Sequence, residues 1–144
     1  MLGTPVRQRV WHWAGPLGVT VLAAILRLWN LGYPHSLVFD ETFYVKDAYT
    51  LMNLGYESTW PANADTEFNA GNVDIYTEQG SFVVHPPLGK WVIALGLGVF
   101  GAQDAVGWRI SVAVCGILAV LLIALIGQKL FASTLLGTIA GFLL

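Results

Sequence analysis

The sequence predicts an all-α polytopic membrane protein whose first two spans are separated by a long, partly folded polar loop. Three observations carry that prediction. The chain is 56% hydrophobic and only 11% charged, with a mean hydropathy of +0.63, whereas soluble domains are charged at roughly a quarter of their positions. All nine Asp and Glu fall between residues 32 and 106. Two long apolar runs bracket that acidic segment, and the flanks carry only Arg, Lys or no charge.

Residues 1–12 read as a cytoplasmic N-terminus, because Arg7 and Arg9 precede the first apolar run and basic residues stay inside. That run, WAGPLGVTVLAAILRLWNL at 13–31, is long enough to cross a hydrocarbon core of about 30 Å at about 1.5 Å per residue. A cleaved signal peptide would have an apolar stretch of about 7–15 residues ending in a small-residue cleavage site, but this run ends in RLWNLGYP. Residues 32–106 then form an external loop. A second transmembrane helix is predicted over 107–129, around the apolar core ISVAVCGILAVLLIALIG at 110–127. Residues 132–144 start a third apolar segment that stops with the chain, the pattern expected of an N-terminal fragment. The lone Cys115 lies inside an apolar run and points to neither a disulfide nor a metal.

Within the loop, two juxtamembrane helices are expected, near 41–54 and 87–101. Tyr44, Ala48, Leu51 and Met52 recur at helical spacing, as in an amphipathic helix lying on a membrane, and Gly55 closes it. The stretch WVIALGLGVFGA, 91–102, is short for a crossing. Placing it at the outer interface lets 110–127 return the chain inward, so that Lys129 joins Arg7 and Arg9 inside. Residues 57–84 read as irregular, with SFVV at 81–84 as a short strand.

Two motif echoes fail. DTEFNAG at 65–71 has its Gly one place late for a calcium loop, and Tyr76 stands where that loop needs Glu. The GK at 89–90 lacks the upstream Gly of a phosphate-binding loop.

The acid pair Asp40-Glu41 has two readings. Asp40 caps the helix that starts near Glu41, or it is a general base, roles that one carboxylate can combine. In HPPLGKW, 85–91, the prolines preorganise a helix start beside His85 and Lys90, a cluster that would attract phosphate; the alternative is a snorkelling Lys90 at a Pro-rich boundary. Arg27 and Arg109, near the outer ends of the two spans, either snorkel or serve as functional counter-ions.

The ordered motifs LRLWNLGYPHSLVFDETFYVKDA, HPPLGKWVIALG and VGWRISVAVCGIL resemble the N-terminal part of the protein O-mannosyltransferases, enzymes of the GT-C fold, and the long insertion at 57–80 looks like their bacterial, particularly actinobacterial, branch. The resemblance runs from about Arg27 to Leu122. It implies transfer of mannose, with inversion, from a polyprenyl- or dolichyl-phosphate donor to Ser or Thr of exported proteins. Asp40 is then the candidate catalytic base with Glu41 beside it, and Arg27, His85, Lys90 and Arg109 are candidates for the lipid phosphate and sugar. A hydroxyl acceptor needs a base, while a lipid phosphate leaves without a strong acid where cations stabilise it.

The expected partners are that lipid donor, a secretory protein acceptor, membrane lipids and the export machinery, with no nucleic acid. The expected location is a bacterial plasma membrane, with the site loop outside. No cofactor is expected; the alternative is a divalent metal on Asp40 and Glu41. Alternatives of function are a related enzyme with another sugar or a lipid acceptor, and a non-catalytic assembly subunit. The chain alone is expected to be inactive.

Overall fold

The computed structural model describes residues 4–144, with side chains from Val10 onward, so Arg7 and Arg9 lie outside the described side chains. The described chain is helical: α1 (Thr4–Leu28), α2 (Glu41–Leu54), α3 (Ala64–Asn69), α4 (Leu88–Phe100), α5 (Ala105–Phe131) and α6 (Thr134–Phe142). It divides into two compact units, one of residues up to Trp29 together with Ala113–Leu144, the other of Asn30–Val112.

The first unit holds α1, most of α5, and α6. Val19, Ala23, Val120 and Ala124 form its small buried cluster. Contact is made largely through small residues, which let helix backbones approach. A Cβ added at Gly137 would lie 2.6 Å from the Gln128 backbone nitrogen. One buried polar side chain ties the helices together: the Gln128 amide donates to the His12 carbonyl at 2.7 Å and to Thr134 Oγ1 at 2.9 Å.

Outward, this unit shows Leu17, Val21 and Ile25 on α1 and Leu118, Leu122 and Ile126 on α5. Water solvates such a surface poorly and lipid solvates it well. Among the described residues α5 is the one helix long and apolar enough to cross a membrane. The first apolar run stops being helical at Leu28, short of the expected residue 31. Asn30 there takes a left-handed φ of 54°, a conformation Asn tolerates better than most residues.

The second unit has the core of a water-soluble domain. Val45 and Ala48 of α2, Phe68 of α3, Ala94 and Leu97 of α4, and Trp108 at the start of α5 bury together. Phe68 meets Trp60 and Tyr49 edge-on, with centroids 5.8 and 6.1 Å apart, the arrangement that ring quadrupoles favour. The Trp108 indole donates to the Ala102 carbonyl at 2.7 Å, so its one polar atom is satisfied in the interior.

Gly55 ends α2 at φ 81°, with its N–H on Leu51 O. Of the stripe read as a membrane-facing surface, Ala48 and Leu51 are buried inside this unit and Met52 is exposed. The stripe packs on protein because α4 and the aromatic cluster supply an apolar surface closer than any solvent. α4 has 13 residues, a rise of about 20 Å.

The SFVV stretch forms no strand. Antiparallel pairing lies just before it instead, where Thr59 N–H donates to Gln79 O (2.8 Å), Thr77 N–H to Thr59 O (2.9 Å) and Ser81 N–H to Glu57 O (2.8 Å). Beyond Ser81 no partner segment continues the ladder, so the backbone of Phe82–Val84 stays unpaired among the described residues.

Candidate functional site

A cleft of about 560 Å³ opens in the second unit beside the start of α2. Asp40, Phe43 and Asp47 line one wall, and Ser58, Trp60 and Phe82 line another. The turn that delivers Asp40 follows from local chemistry. Phe39 sits at φ 51°, a left-handed conformation that costs a non-glycine residue about 1–3 kcal/mol. Glu41 N–H donates to Val38 O at 3.0 Å, and the Thr42 hydroxyl donates to Phe39 O at 2.9 Å.

Asp40 occupies the N-cap position of α2 without capping it. It is itself in helical conformation, and its side chain accepts no N–H of the helix. Capping needs an extended residue, whose carboxylate can turn back onto the first turn; here Glu41 performs the return contact, accepting from Val38 N–H at 3.1 Å. The Asp40 carboxylate is exposed at the cleft and has no hydrogen-bond or ion-pair partner among the described residues.

Its neighbour behaves oppositely. Glu41 receives Arg109 through both oxygens, Nε at 2.6 Å and Nη2 at 2.8 Å. This two-pronged pair is the strong form of a charge-assisted bond. The remaining guanidinium hydrogens go to the carbonyls of Leu31 (3.1 Å), Pro34 (3.0 Å) and Ser36 (3.2 Å). Arg109 therefore holds the chain leading up to Asp40 in place.

Lys90 is likewise engaged. It is 3% exposed and donates to Glu57 at 2.6 Å, with Asp47 at 3.0 Å, which links α4, the segment after α2, and α2 itself. A buried lysine neither snorkels nor presents a free charge. Burial works against its ammonium form, but the bonds and charges of Glu57 and Asp47 outweigh it and raise the Lys90 pKa. One cation shared between two carboxylates leaves an excess negative charge. Burial accordingly pushes the Asp47 carboxyl up, against the opposing pull of Lys90.

His85 is exposed, its ring 5.7 Å from that of Tyr44. Arg27 belongs to the first unit, where its side chain lies over Gly116; a Cβ added there would stand 2.8 Å from Nε. The tertiary structure thus brings Glu41 and Arg109 together, leaves Asp40 open, and encloses Lys90.

Three residues of this region escape a reading of the sequence. Asp47 stands seven residues after Asp40, two turns along the same helix face, and that spacing was an available signal. Glu57 and Trp60 had none, because only the fold carries the loop after α2 back onto the α2–α4 pair. Ser58 Oγ and Trp60 Nε1 are buried without a hydrogen-bond partner among the described residues.

The DTEFNAG stretch forms α3, with Asp65 paired to Lys46 at 2.6 Å. Among the described residues no group of three or more His, Cys, Asp or Glu could hold a metal ion.

The arrangement is that of a protein with a membrane-length apolar helix and a folded polar unit that offers one open carboxylate at a cleft. Residues 84–144 match the family model described as dolichyl-phosphate-mannose-protein mannosyltransferase. The chain is 38% identical over 140 residues to the polyprenol-phosphate-mannose–protein mannosyltransferase of Mycolicibacterium smegmatis, covering 95% of this chain and 24% of that protein. It is 36% identical over 129 residues to the protein of the same name from Mycobacterium tuberculosis, covering 88% and 21%. For the one from Corynebacterium glutamicum the figures are 39% over 108 residues, 74% and 18%. No solved structure matches. The chain is thus similar to dolichyl- and polyprenol-phosphate-mannose–protein mannosyltransferases over nearly its whole length. It spans about a quarter of the length of the relatives first matched.

Proposed function

We propose that this chain contributes the base-bearing unit of an enzyme that transfers mannose from a polyprenyl-phosphate donor to Ser or Thr hydroxyls of proteins. The reading is carried by one contrast: at the cleft, Asp40 is unpartnered among the described residues while adjacent Glu41 is saturated by Arg109. The names of the relatives supply the donor and the class of acceptor.

In the proposed step the Asp40 carboxylate takes the proton of the acceptor hydroxyl. The hydroxyl oxygen then forms its bond to C1 of mannose, the bond from C1 to the phosphate oxygen breaks, and the electron pair leaves with the lipid phosphate. A single displacement of this kind inverts C1. Glu41 acts through Arg109, fixing the turn that presents Asp40. Lys90 braces the cleft, because two carboxylates already compensate its charge. Of the four residues read from the sequence for the lipid phosphate and sugar, Lys90 and Arg109 are ion-paired, while His85 and Arg27 have no ion pair among the described residues and keep that proposed role each on its own place in the sequence. The site loop 32–106 is assigned to the outer face of the membrane from the layout of basic residues.

The test is mannose transfer from labelled polyprenyl-phosphate mannose to a Ser/Thr peptide, in membranes containing the whole enzyme to which this unit is proposed to belong. Asp40→Asn keeps the shape and removes the base, so the rate is expected to fall about 10²–10⁴-fold. Undiminished transfer by that variant, or label appearing on a lipid acceptor, would displace the reading. Chelator-insensitive transfer separates it from a metal-assisted route.

A further inference from the structure

We propose that Gly116 is a positioning residue for the lipid donor: its bare backbone lets the Arg27 side chain lie across α5, where the guanidinium is held for the donor's phosphate. The inference rests on the mannosyl-transfer reading, in which Arg27 takes part in binding that phosphate, and adds what keeps the cation in place.

The first unit, residues up to Trp29 with Ala113–Leu144, contains no Asp or Glu. Arg27, in the last turn of α1, is therefore a charge with no anion in its own unit, and none of the ion pairs among the described residues includes it. A helix-end arginine ordinarily snorkels toward the headgroups. This one runs across the neighbouring helix: a Cβ placed on Gly116 would stand 2.8 Å from Nε, 3.3 Å from Cδ and 3.7 Å from Cζ, so three successive atoms of the side chain cross the glycine. The niche beside it, about 70 Å³, is lined by the apolar Leu22, Leu26, Val120 and Phe142. A cation kept against such a wall is costly unless an anion joins it, and an ionisable group in a membrane unit marks a functional place.

Gly116 differs from other glycines of the unit. Gly127, Gly137 and Gly141 meet backbone atoms of a facing helix, as helix-packing glycines do. The three nearest atoms that a Cβ at Gly116 would meet all belong to the Arg27 side chain. A methyl group against fixed backbone forces helices apart, whereas one against a flexible arginine displaces the arginine and leaves the helices where they are. Alanine also suits a helix interior better than glycine. Gly116→Ala should therefore fold at least as well and bind the lipid donor worse.

The experiment measures transfer kinetics in membranes containing the whole enzyme, with labelled polyprenyl-phosphate mannose and a Ser/Thr peptide varied in turn. Gly116→Ala is expected to raise KM for the donor about three- to tenfold, the effect of weakening one charge-assisted contact, with KM for the peptide changed less than about twofold and the melting temperature unchanged or higher. Gly18→Ala is the control, a helix glycine of the same unit with nothing within 4 Å of an added Cβ, and should leave donor KM as it is. Arg27→Gln should raise donor KM at least as much as Gly116→Ala, and combining the two should add nothing further, because Gly116 acts only through Arg27. Donor KM unmoved by Gly116→Ala, full addition of the two effects, or a lowered melting temperature with peptide KM raised alongside would overturn the positioning role while leaving mannosyl transfer standing. An Arg27→Gln enzyme with ordinary donor KM would remove Arg27 from the phosphate site and this inference with it. Failure of the unmodified enzyme to label any peptide would instead overturn the functional reading itself.

Discussion

The two units of this chain solve opposite solvation problems. The first turns its apolar side chains outward, keeps a buried cluster of four residues, and uses the buried amide of Gln128 to join helices. The second buries a cluster of ten apolar residues around an aromatic centre and pairs its charges, Glu41 with Arg109, Lys90 with Asp47 and Glu57, and Lys46 with Asp65. Where lipid is the solvent, helices gain little from hiding Leu and Ile from it, and close backbone approach at Gly127, Gly137 and Gly141 does the packing. In the loop unit, water drives an interior to form, and the ion pairs fix which loop lies where.

The largest expected effect tests the division of labour inside the second unit. Asp40→Asn should lower transfer about 10²–10⁴-fold with little change in stability, because the carboxylate holds no contact among the described residues. Glu41→Gln should do the reverse, loosening the Arg109 contacts and lowering stability along with activity. Equal losses from both substitutions, with stability intact, would erase the contrast.

The next effect concerns burial of charge. Lys90→Met leaves Glu57 and Asp47 without their cation, and losing one partner of a buried pair costs about 3–5 kcal/mol. Thermal unfolding in detergent should show that loss. The pH dependence has a definite sign. The folded-state pKa of Lys90 is raised above the ordinary 10.5, so its stabilisation is complete below that value and is lost as pH rises through the folded one. Asp47 is raised above 3.8, so the folded state is penalised as pH climbs from there through its folded value. Both groups favour the lower side of their own windows, and Asp47→Asn should flatten the acidic one.

Packing effects come third. An alanine at Gly96 would drive its methyl into the Gly107 carbonyl and crowd Ile110 and Ser111, an overpacking worth about 1–3 kcal/mol. In the first unit, Gln128→Leu removes the two amide bonds and should cost about 1–2 kcal/mol, readable as a lower melting temperature. The smallest effect belongs to Lys46–Asp65, whose carboxylate side is 51% exposed; Asp65→Asn should shift stability by about 0.2–1 kcal/mol and less in high salt.

Much of the helical order was legible because local signals agree with it. Gly55 supplied a left-handed stop, Pro86 and Pro87 a helix start, and the uncharged run after Arg109 a membrane-length helix. The helix starts where Asp40 and Glu41 predict, but the capping role read for the Asp40 side chain failed for a local reason too small for sequence patterns to carry: with a positive φ at Phe39, Asp40 is itself helical and Glu41 makes the return contact. The cationic cradle read from Lys90 and Arg109 depended on which anions reach them, and Glu57 meets Lys90 across 33 residues while Glu41 meets Arg109 across 68.

By itself, then, the sequence determined the helices, the acidic loop between apolar runs, and the family motifs, because composition, spacing and caps act over a few residues at a time. Only the tertiary structure decided which charges are already spent. Long-range pairing chose Glu41 over Asp40 for Arg109 and gave Lys90 two carboxylates, since an ionised group taken out of water must find a partner wherever the fold brings one.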